Sequence, residues 1–85
     1  MRLLETSKFQ KLRKKLKDKD ERAALREAVL HAFDDPESGK KLKGEFQELR
    51  SLRFSVRGQS RRLIYKYEDD RVILFSFGPR QGIYK

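Results

Sequence analysis

Arginine, lysine and tyrosine are the residues of this 85-residue chain whose types and spacing could do chemistry. Four basic residues, Arg53, Arg57, Arg62 and Lys66, alternate with apolar neighbours in the second half of the chain. Such alternation is typical of strands, whose successive side chains point to opposite faces. A guanidinium can bond two phosphate oxygens at once. These residues either solubilise one face of a sheet or form a basic surface for a phosphate backbone, and composition alone leaves both interpretations open.

Other kinds of site find little support in the composition. The chain has no cysteine and one histidine, so a thiol nucleophile, a thiolate metal site and a histidine pair are all excluded. His31 falls about 120° from the apolar stripe of its predicted helix, at 100° per residue, which indicates a surface position. The adjacent acids Glu68, Asp69 and Asp70 are better explained as a solvated turn than as metal ligands. We therefore expect neither a metal nor a cofactor.

The net charge of +9 is concentrated in two stretches. Residues 1–17 carry seven basic and one acidic residue, a net +6, and residues 40–66 carry nine basic and two acidic, a net +7. Residues 18–39 have a net charge of −4 and residues 67–85 balance at zero. Basic stretches of this kind attract polyanions. We expect a nucleic-acid partner, with Lys11 and Lys15 among the contacts, although an acidic protein would also suit such a surface.

Helical spacing dominates the first half of the chain. After a short strand at Leu3-Leu4, Thr6 or Ser7 can cap a helix whose apolar face repeats at i, i+3 and i+7: Phe9, Leu12 and Leu16. Asp18, with Glu21 three residues later, predicts the start of a second helix. That helix should end at about Asp34, because Pro36 disfavours helical geometry at the residue before it. A loop is expected at residues 36–39.

Strand spacing dominates the second half. Residues 52–57 alternate, a turn is predicted at Gly58-Gln59-Ser60, and a second strand at Arg62–Tyr67. Asp69-Asp70 predicts another tight turn, followed by Val72–Phe77, the most apolar strand, which we expect in the centre of the sheet. The predicted fold is α+β: a helical hairpin packed on one face of a three- or four-stranded, mostly antiparallel sheet, forming one domain over residues 1–85.

Neither a membrane span nor a secretion signal is predicted. The longest apolar runs, such as Val72–Phe75, are too short to span a bilayer. A charged residue and then a basic helix follow the first residues, so the sequence does not predict the apolar core of a signal peptide there. The sequence therefore predicts a cytoplasmic protein.

Three segments resemble motifs of the RelE/ParE toxin superfamily in order and spacing. They are Lys41-Leu42-Lys43-Gly44, Arg62-Leu63-Ile64-Tyr65, and Gly78-Pro79-Arg80-Gln81-Gly82-Ile83-Tyr84. Each motif is weak alone, and the resemblance as a whole covers essentially the whole chain. The resemblance implies a toxin of a type II toxin–antitoxin system that is silenced by an antitoxin with an acidic or amphipathic segment. It also implies the RelE-like fold, a helical hairpin on a sheet.

The mRNA-cleaving branch of that superfamily implies a ribosome-dependent endonuclease that acts in the ribosomal A site. There the ribose 2′-oxygen attacks the adjacent phosphate and leaves a 2′,3′-cyclic phosphate and a 5′-hydroxyl. Arg62 resembles the arginine that stabilises the scissile phosphate, Arg80 the arginine that neutralises charge, and Tyr84 the tyrosine that draws the 2′-proton. Lys43 and Arg53 match positions that hold the RNA backbone.

Two departures bear on the rate of such a reaction. Ser55 stands where relatives often have a lysine, and Pro79 replaces a common histidine or lysine. Two alternatives stay open: a ParE-like inhibitor of DNA gyrase, and a non-catalytic RNA-binding module. Retention of Arg62, Arg80 and Tyr84 favours the nuclease over the gyrase inhibitor.

Overall fold

The computed structural model describes residues 1–79. Arg80 and Tyr84, two of the three predicted catalytic residues, lie outside this range. The regular elements are β1 (Arg2–Glu5), α1 (Ser7–Lys15), α2 (Lys19–Asp34), β2 (Lys40–Lys41), β3 (Leu49–Val56), β4 (Gln59–Glu68) and β5 (Arg71–Gly78). Single 3₁₀ turns at Pro36–Ser38 and Gly44–Phe46 flank β2.

Both helices begin where the sequence predicts. The Thr6 side chain caps α1 by accepting a hydrogen bond from the backbone N–H of Phe9, at 3.2 Å. Asp18 caps α2 by accepting from the N–H groups of Asp20 and Glu21, at 2.8 and 3.1 Å. These bonds satisfy donors that a helix start would otherwise leave without acceptors. The end of α2 at Asp34 is confirmed as well.

In residues 1–79 the strands form one mixed sheet in the order β1-β5-β4-β3-β2. All neighbours are antiparallel except β1 and β5, which run parallel. The α+β class and the antiparallel majority are confirmed, but the sheet has five strands rather than three or four. The additional strand is β2, and it has only two residues. The strand β5 is internal, as expected, although β4 occupies the middle of the sheet.

The β3–β4 turn lies one residue earlier than predicted. Arg57 and Gly58 form it, with φ angles of 49° and 79°, while Gln59 and Ser60 already belong to β4. Positive φ at both positions is the pattern of a type I′ turn, whose backbone twist matches that of the flanking strands. Arg57 is therefore a turn residue and not a strand residue. The predicted turn at Asp69-Asp70 is confirmed, with φ angles of 48° and 59°.

The core lies between the helices and one face of the sheet. Phe9 of α1 packs edge-on against Phe77 of β5, with ring centroids 5.3 Å apart. The remaining buried members are Leu25, Ala28, Ala32, Leu52, Leu63, Tyr65, Val72 and Leu74. Ile64 is fully buried too, but it lies outside this cluster, on the opposite face of the sheet. That face is therefore not uniformly solvated. No helix in residues 1–79 is long and apolar enough to cross a membrane.

Candidate nucleic-acid interface

Two arginines lie directly opposite each other on the sheet face that points away from the helices. Arg53 of β3 pairs with Arg62 of β4, and Arg62 in turn pairs with Gly78 at the end of β5. Their neighbours Leu52 and Leu63 are in the core, so alternation turns both arginines to the other face. The strand register thus brings together two residues that the sequence analysis singled out separately.

The arginine pair has unsatisfied bonding capacity. The Nε of Arg62 is buried and has no hydrogen-bond acceptor within the described residues. Like charges directly opposite each other across two strands destabilise a sheet, and a buried charged donor without an acceptor costs free energy as well. An anion bound between Arg53 and Arg62 would remove both penalties.

Lysines complete a basic cleft around this pair. The cleft has a volume of about 360 Å³ and is lined by Lys40, Lys41, Leu42, Lys43, Ser51, Arg53 and Arg62. Lys40 of β2 pairs with Ser51 of β3, the strand next to β4. Among these lining residues five are cationic and none is acidic. The electrostatics favour a polyanion such as a nucleic-acid backbone.

The chain that leads into β2 is held by a buried hydroxyl and a guanidinium. The Tyr65 hydroxyl donates to the carbonyl of Pro36 at 2.7 Å and accepts from the N–H of Gly39 at 3.0 Å. Burial raises the pKa of Tyr65 above its usual value, so the phenol stays neutral and fills both roles. Arg50 donates to the carbonyls of Gly39 and Glu37, at 3.0 and 3.2 Å. These bonds position the lysine-bearing segment over β3.

Arg57, a predicted RNA contact, has carboxylate partners elsewhere in the fold. It binds Asp18 at 2.6 Å and Asp20 at 2.9 Å, so it ties the β3–β4 turn to the start of α2. The Arg57 guanidinium is the main reason that the pKa of Asp18 lies well below its usual range. This pairing places Arg57 on the helix side of the sheet, away from the cleft.

Lys66, also a predicted RNA contact, lies between two acids. Its Nζ is 2.6 Å from Glu68 and 3.3 Å from Glu48. The bond to Glu68, and then that to Glu48, raises the pKa of Lys66, while Lys66 lowers the pKa of Glu68. The structure gives Lys66 a role in joining β4 to the start of β3, and its contact with RNA stays a prediction.

Lys11 and Lys15 are exposed on α1, in the layer on the other side of the sheet from the cleft. The six predicted RNA contacts therefore do not form one surface. Lys43 and Arg53 line the cleft with Arg62, whereas Arg57, Lys66, Lys11 and Lys15 lie elsewhere.

Several residues of the cleft are absent from the sequence predictions. Lys40 and Ser51 line it, and Tyr65 and Arg50 hold it in place. Lys40 could have been predicted as a cleft residue, because it directly precedes the segment Lys41–Gly44. The bond between Tyr65 and Gly39 joins residues 26 apart in the chain, which no local pattern reveals. No group of three metal-ligating side chains occurs within residues 1–79.

Comparison with known proteins agrees with this architecture. The structure resembles E. coli RelE in the intact RelBE toxin–antitoxin complex, with a TM-score of 0.72 and 18% identity over 94% of this chain and 96% of that one. Isolated E. coli RelE gives a TM-score of 0.72 and 23% identity over 94% and 84% of the two chains. The conserved hypothetical protein HP0894 of Helicobacter pylori gives 0.60 and 27% identity over 91% of each. No curated protein matches.

Structural likeness at such low identity shows the fold alone, whereas a match to a family model assigns the chain to a family. The model for the ParE-like toxin of type II bacterial toxin–antitoxin systems matches residues 3–85, almost the whole chain. The strand order, the helical hairpin on one face and the match to RelE describe the same fold. The chain belongs to the ParE-like toxin family of type II bacterial toxin–antitoxin systems, and it has the RelE fold.

Proposed function

We propose that this toxin is an endoribonuclease that cleaves mRNA on the ribosome. The ribose 2′-oxygen attacks the adjacent phosphate, the bond to the 5′-oxygen of the next nucleotide breaks, and a 2′,3′-cyclic phosphate and a 5′-hydroxyl remain. The observation that carries the proposal is the buried Nε of Arg62, which lacks an acceptor within the described residues and lies opposite Arg53 in a basic cleft.

Arg62 is the proposed ligand of the scissile phosphate. A guanidinium offers donors in a planar fork that matches two phosphate oxygens. Negative charge on those oxygens grows as the 2′-oxygen attacks, so donors already in place stabilise the transition state more than the ground state. Arg53 and Lys43, which line the same cleft, hold the backbone on either side.

Proton transfer is assigned to the C-terminal residues on the basis of the family resemblance. Tyr84 accepts the 2′-proton, and Arg80 neutralises charge on the phosphate. A phenol has a reference pKa near 10, so only about one in a thousand is ionised at pH 7. Nearby cations favour the phenolate. Such a site is slow on free RNA, and the ribosome contributes by holding the 2′-hydroxyl in line with the leaving oxygen.

The proposed partner is a cognate antitoxin with an acidic or amphipathic segment that wraps the basic surface. E. coli RelE, which shares the fold, has been solved in an intact complex with RelB. A segment that folds on binding can cover a large area of a small toxin. In the absence of this partner the cleft is open to RNA.

Mapping of mRNA ends after the toxin is added to translating ribosomes tests the proposal. We expect new 5′-hydroxyl ends in ribosome-bound mRNA and few in free RNA. Tyr84→Phe removes one oxygen and should lower the cleavage rate by about 10²–10⁴-fold, the usual contribution of a positioned acid or base. Arg80→Ala should also slow cleavage, because it removes stabilising charge. Thermal melting of each variant is the control for folding.

The outcomes separate the three candidate activities. No new mRNA ends together with inhibition of gyrase supercoiling would favour the ParE-like activity. RNA binding without either effect would leave a non-catalytic module. Full cleavage by Tyr84→Phe with normal melting would show that its hydroxyl is incidental.

A further inference from the structure

Two serines lie beside the arginine pair on the outer face of the sheet. Ser55 of β3 is directly opposite Ser60 of β4, two residues along each strand from Arg53 and Arg62. Side chains two residues apart on a strand point to the same face. Both serines are exposed. This serine pair, Ser55 and Ser60, therefore continues the surface of the cleft by one step toward the β3–β4 turn.

The positive charge at this end of the hairpin is held on the other side of the sheet. Arg61 alternates with the serine pair, and its guanidinium is 3.7 Å from Glu21 of α2. Arg57, in the turn itself, is paired with two acids at the start of α2. These ion pairs hold the hairpin from the helix side. On the outer face the serine pair presents two neutral hydroxyls.

The chemistry of two hydroxyls selects one group of an RNA chain. A serine hydroxyl can both donate and accept a hydrogen bond. Phosphate oxygens only accept, and the cleft already supplies cations for them. A base needs an aromatic platform for stacking, but Phe54, the neighbour of Ser55, packs against the core. The ribose 2′-hydroxyl donates and accepts, and it is the group by which a protein tells RNA from DNA.

The spacing between the two pairs fits a neighbouring nucleotide. Two residues of an antiparallel strand span about 6.8 Å, which is about two base steps of a stacked nucleic-acid strand at 3.4 Å each. We propose that Ser55 and Ser60 bind the 2′-hydroxyl of a nucleotide one or two positions from the phosphate on Arg62, and so select RNA over DNA. Such selection rests on the proposed binding of RNA in the cleft and does not require that the RNA be cut.

A contact of this kind adds what the cations of the cleft cannot supply. Contacts to phosphate are common to both nucleic acids and independent of sequence. With those contacts alone, single-stranded DNA would compete for the cleft. The attacking 2′-hydroxyl excludes DNA from the proposed reaction, but it does not keep DNA from binding. A second 2′-hydroxyl contact, away from the reacting phosphate, lowers the affinity for DNA relative to RNA.

Fluorescence anisotropy with two matched oligonucleotides tests the proposal: about six uridines, and the same number of deoxyuridines. With the whole protein, we expect RNA to bind about three- to tenfold tighter, which is the net contribution of about one hydrogen bond. Ser55→Ala with Ser60→Ala should weaken RNA binding by that factor and leave DNA binding unchanged. Ser55→Thr with Ser60→Thr is the matched control. It keeps both hydroxyls in residues that strands favour, and it should retain the preference for RNA.

The outcomes separate the serine contact from the proposed nuclease. Equal weakening of RNA and DNA binding in the alanine variant, or an unchanged preference for RNA, would overturn the serine contact alone. A threonine variant that loses the preference as fully as the alanine variant would overturn it too. A preference that depends on the serines, in a protein that leaves ribosome-bound mRNA uncut, would support the contact and contradict the nuclease. Binding of neither oligonucleotide would contradict both.

Discussion

Arg62 combines two features that stability alone does not explain: its Nε is buried without an acceptor in the described part of the chain, and another arginine lies opposite it. The Nε of Arg71 is also buried without an acceptor in the described residues, but the guanidinium of Arg71 binds Glu68 at 3.2 Å. Arg57 binds two carboxylates, and Arg50 donates to two carbonyls. Within residues 1–79 no carboxylate or carbonyl of this kind binds Arg62, which supports a ligand-binding role for this residue, with phosphate as the acceptor.

Replacing Arg62 with lysine separates charge from geometry. Lysine keeps the positive charge but presents a single ammonium instead of a planar fork. We expect Arg62→Lys to lower the single-turnover rate of mRNA cleavage on ribosomes by about 10²–10³-fold, the usual cost of losing one transition-state donor. Thermal stability should hold or rise slightly, because the donor without an acceptor is removed.

Arg53→Lys is the matched control for that substitution. Arg53 is exposed in the same cleft, and holding a backbone phosphate demands less exact geometry than stabilising the scissile one. Its cleavage rate should fall by less than about tenfold. Wild-type cleavage by Arg62→Lys would mean that positive charge alone suffices and that the fork does not position the reacting phosphate.

At the scale of elements, the strand β2 depends on a close approach between Gly39 and Tyr65. A Cβ at position 39 would lie inside the contact distance of the Tyr65 hydroxyl. We expect Gly39→Ala to destabilise the protein by about 1–3 kcal/mol, the usual range for overpacking. Tyr65→Phe leaves the N–H of Gly39 and the carbonyl of Pro36 without their partner, at a cost of about 1–3 kcal/mol.

Denaturant unfolding of both single variants and the double variant checks this coupling. Tyr65→Phe removes the nearest of the three Tyr65 atoms that a methyl group introduced at position 39 would meet, and two ring carbons remain close. The double variant should therefore lose somewhat less stability than the sum of the two. Additive losses would show that the two residues do not act on each other. Loss of the anchor should also weaken RNA binding, since the lysines of the cleft follow Gly39 directly.

The ion pair between Asp18 and Arg57 joins the start of α2 to the β3–β4 turn and makes stability depend on pH. Arg57 holds the pKa of Asp18 well below the usual value of an aspartate. A carboxylate with a lowered pKa contributes stability above its ordinary pKa, and this contribution is lost as pH falls through the folded value. The melting temperature of the wild type should therefore decline between about pH 5 and pH 2.

Asp18→Asn isolates the charge from the cap, because asparagine caps helices as well as aspartate does. We expect a lower melting temperature than the wild type at pH 7 and a shallower decline on acidification. High salt should reduce the difference between the two proteins, because the pair is solvent-accessible. Parallel pH curves for the two proteins would contradict a stabilising role for the pair.

Local signals in the sequence were sufficient for some elements and not for others. The caps at Thr6 and Asp18 depend on bonds to residues two or three positions away, so local sequence predicted both. The strand β2 has only two residues, too few to show a periodicity in the sequence. It is defined by its pairing with β3. Likewise, Ile64 alternates with the core residues Leu63 and Tyr65 and so lies on the outer face, but alternation does not reveal that it is buried there.

The same division holds for the candidate site. Alternation predicted that Arg53 and Arg62 share a face, and the strand register then placed them opposite each other. The acids that bind Arg57 are 37 and 39 residues away, so sequence spacing could not separate this arginine from the cleft residues. Basic composition is a property of the surface as a whole, whereas the function of one arginine depends on which carboxylates the fold brings near it.

At the scale of the whole molecule, the positive charge divides between the two sides of a thin sheet. The cleft holds five cations on one side, and α1 carries Lys11 and Lys15 on the other. The shortest dimension of the molecule is 23 Å. A large RNA assembly can therefore contact both sides at once, whereas a short oligonucleotide bound in the cleft contacts only one. The two kinds of RNA should report different surfaces.

This difference gives a prediction about salt. A single-stranded RNA oligonucleotide in the cleft should make about five phosphate contacts, so the logarithm of its affinity should fall with the logarithm of salt concentration with a slope of roughly −3 to −4. Replacing Lys40 and Lys43 with glutamine should make the slope shallower by about 1.4, two contacts at about 0.7 each. A flat salt response of the wild-type protein would remove the electrostatic basis of RNA binding.

Lys11→Gln with Lys15→Gln is the counterpart on the far side of the sheet. This double substitution should leave the salt dependence of oligonucleotide binding unchanged, because neither lysine lines the cleft. It should weaken binding to ribosomes and make the salt dependence of ribosome binding shallower. The single-turnover cleavage rate at saturating ribosomes should stay at the wild-type value, since saturation removes a defect that lies only in binding. Filter binding and quench-flow cleavage measure the two effects separately. A slower chemical step at saturation would mean that α1 orients the toxin on the ribosome and does more than attract it.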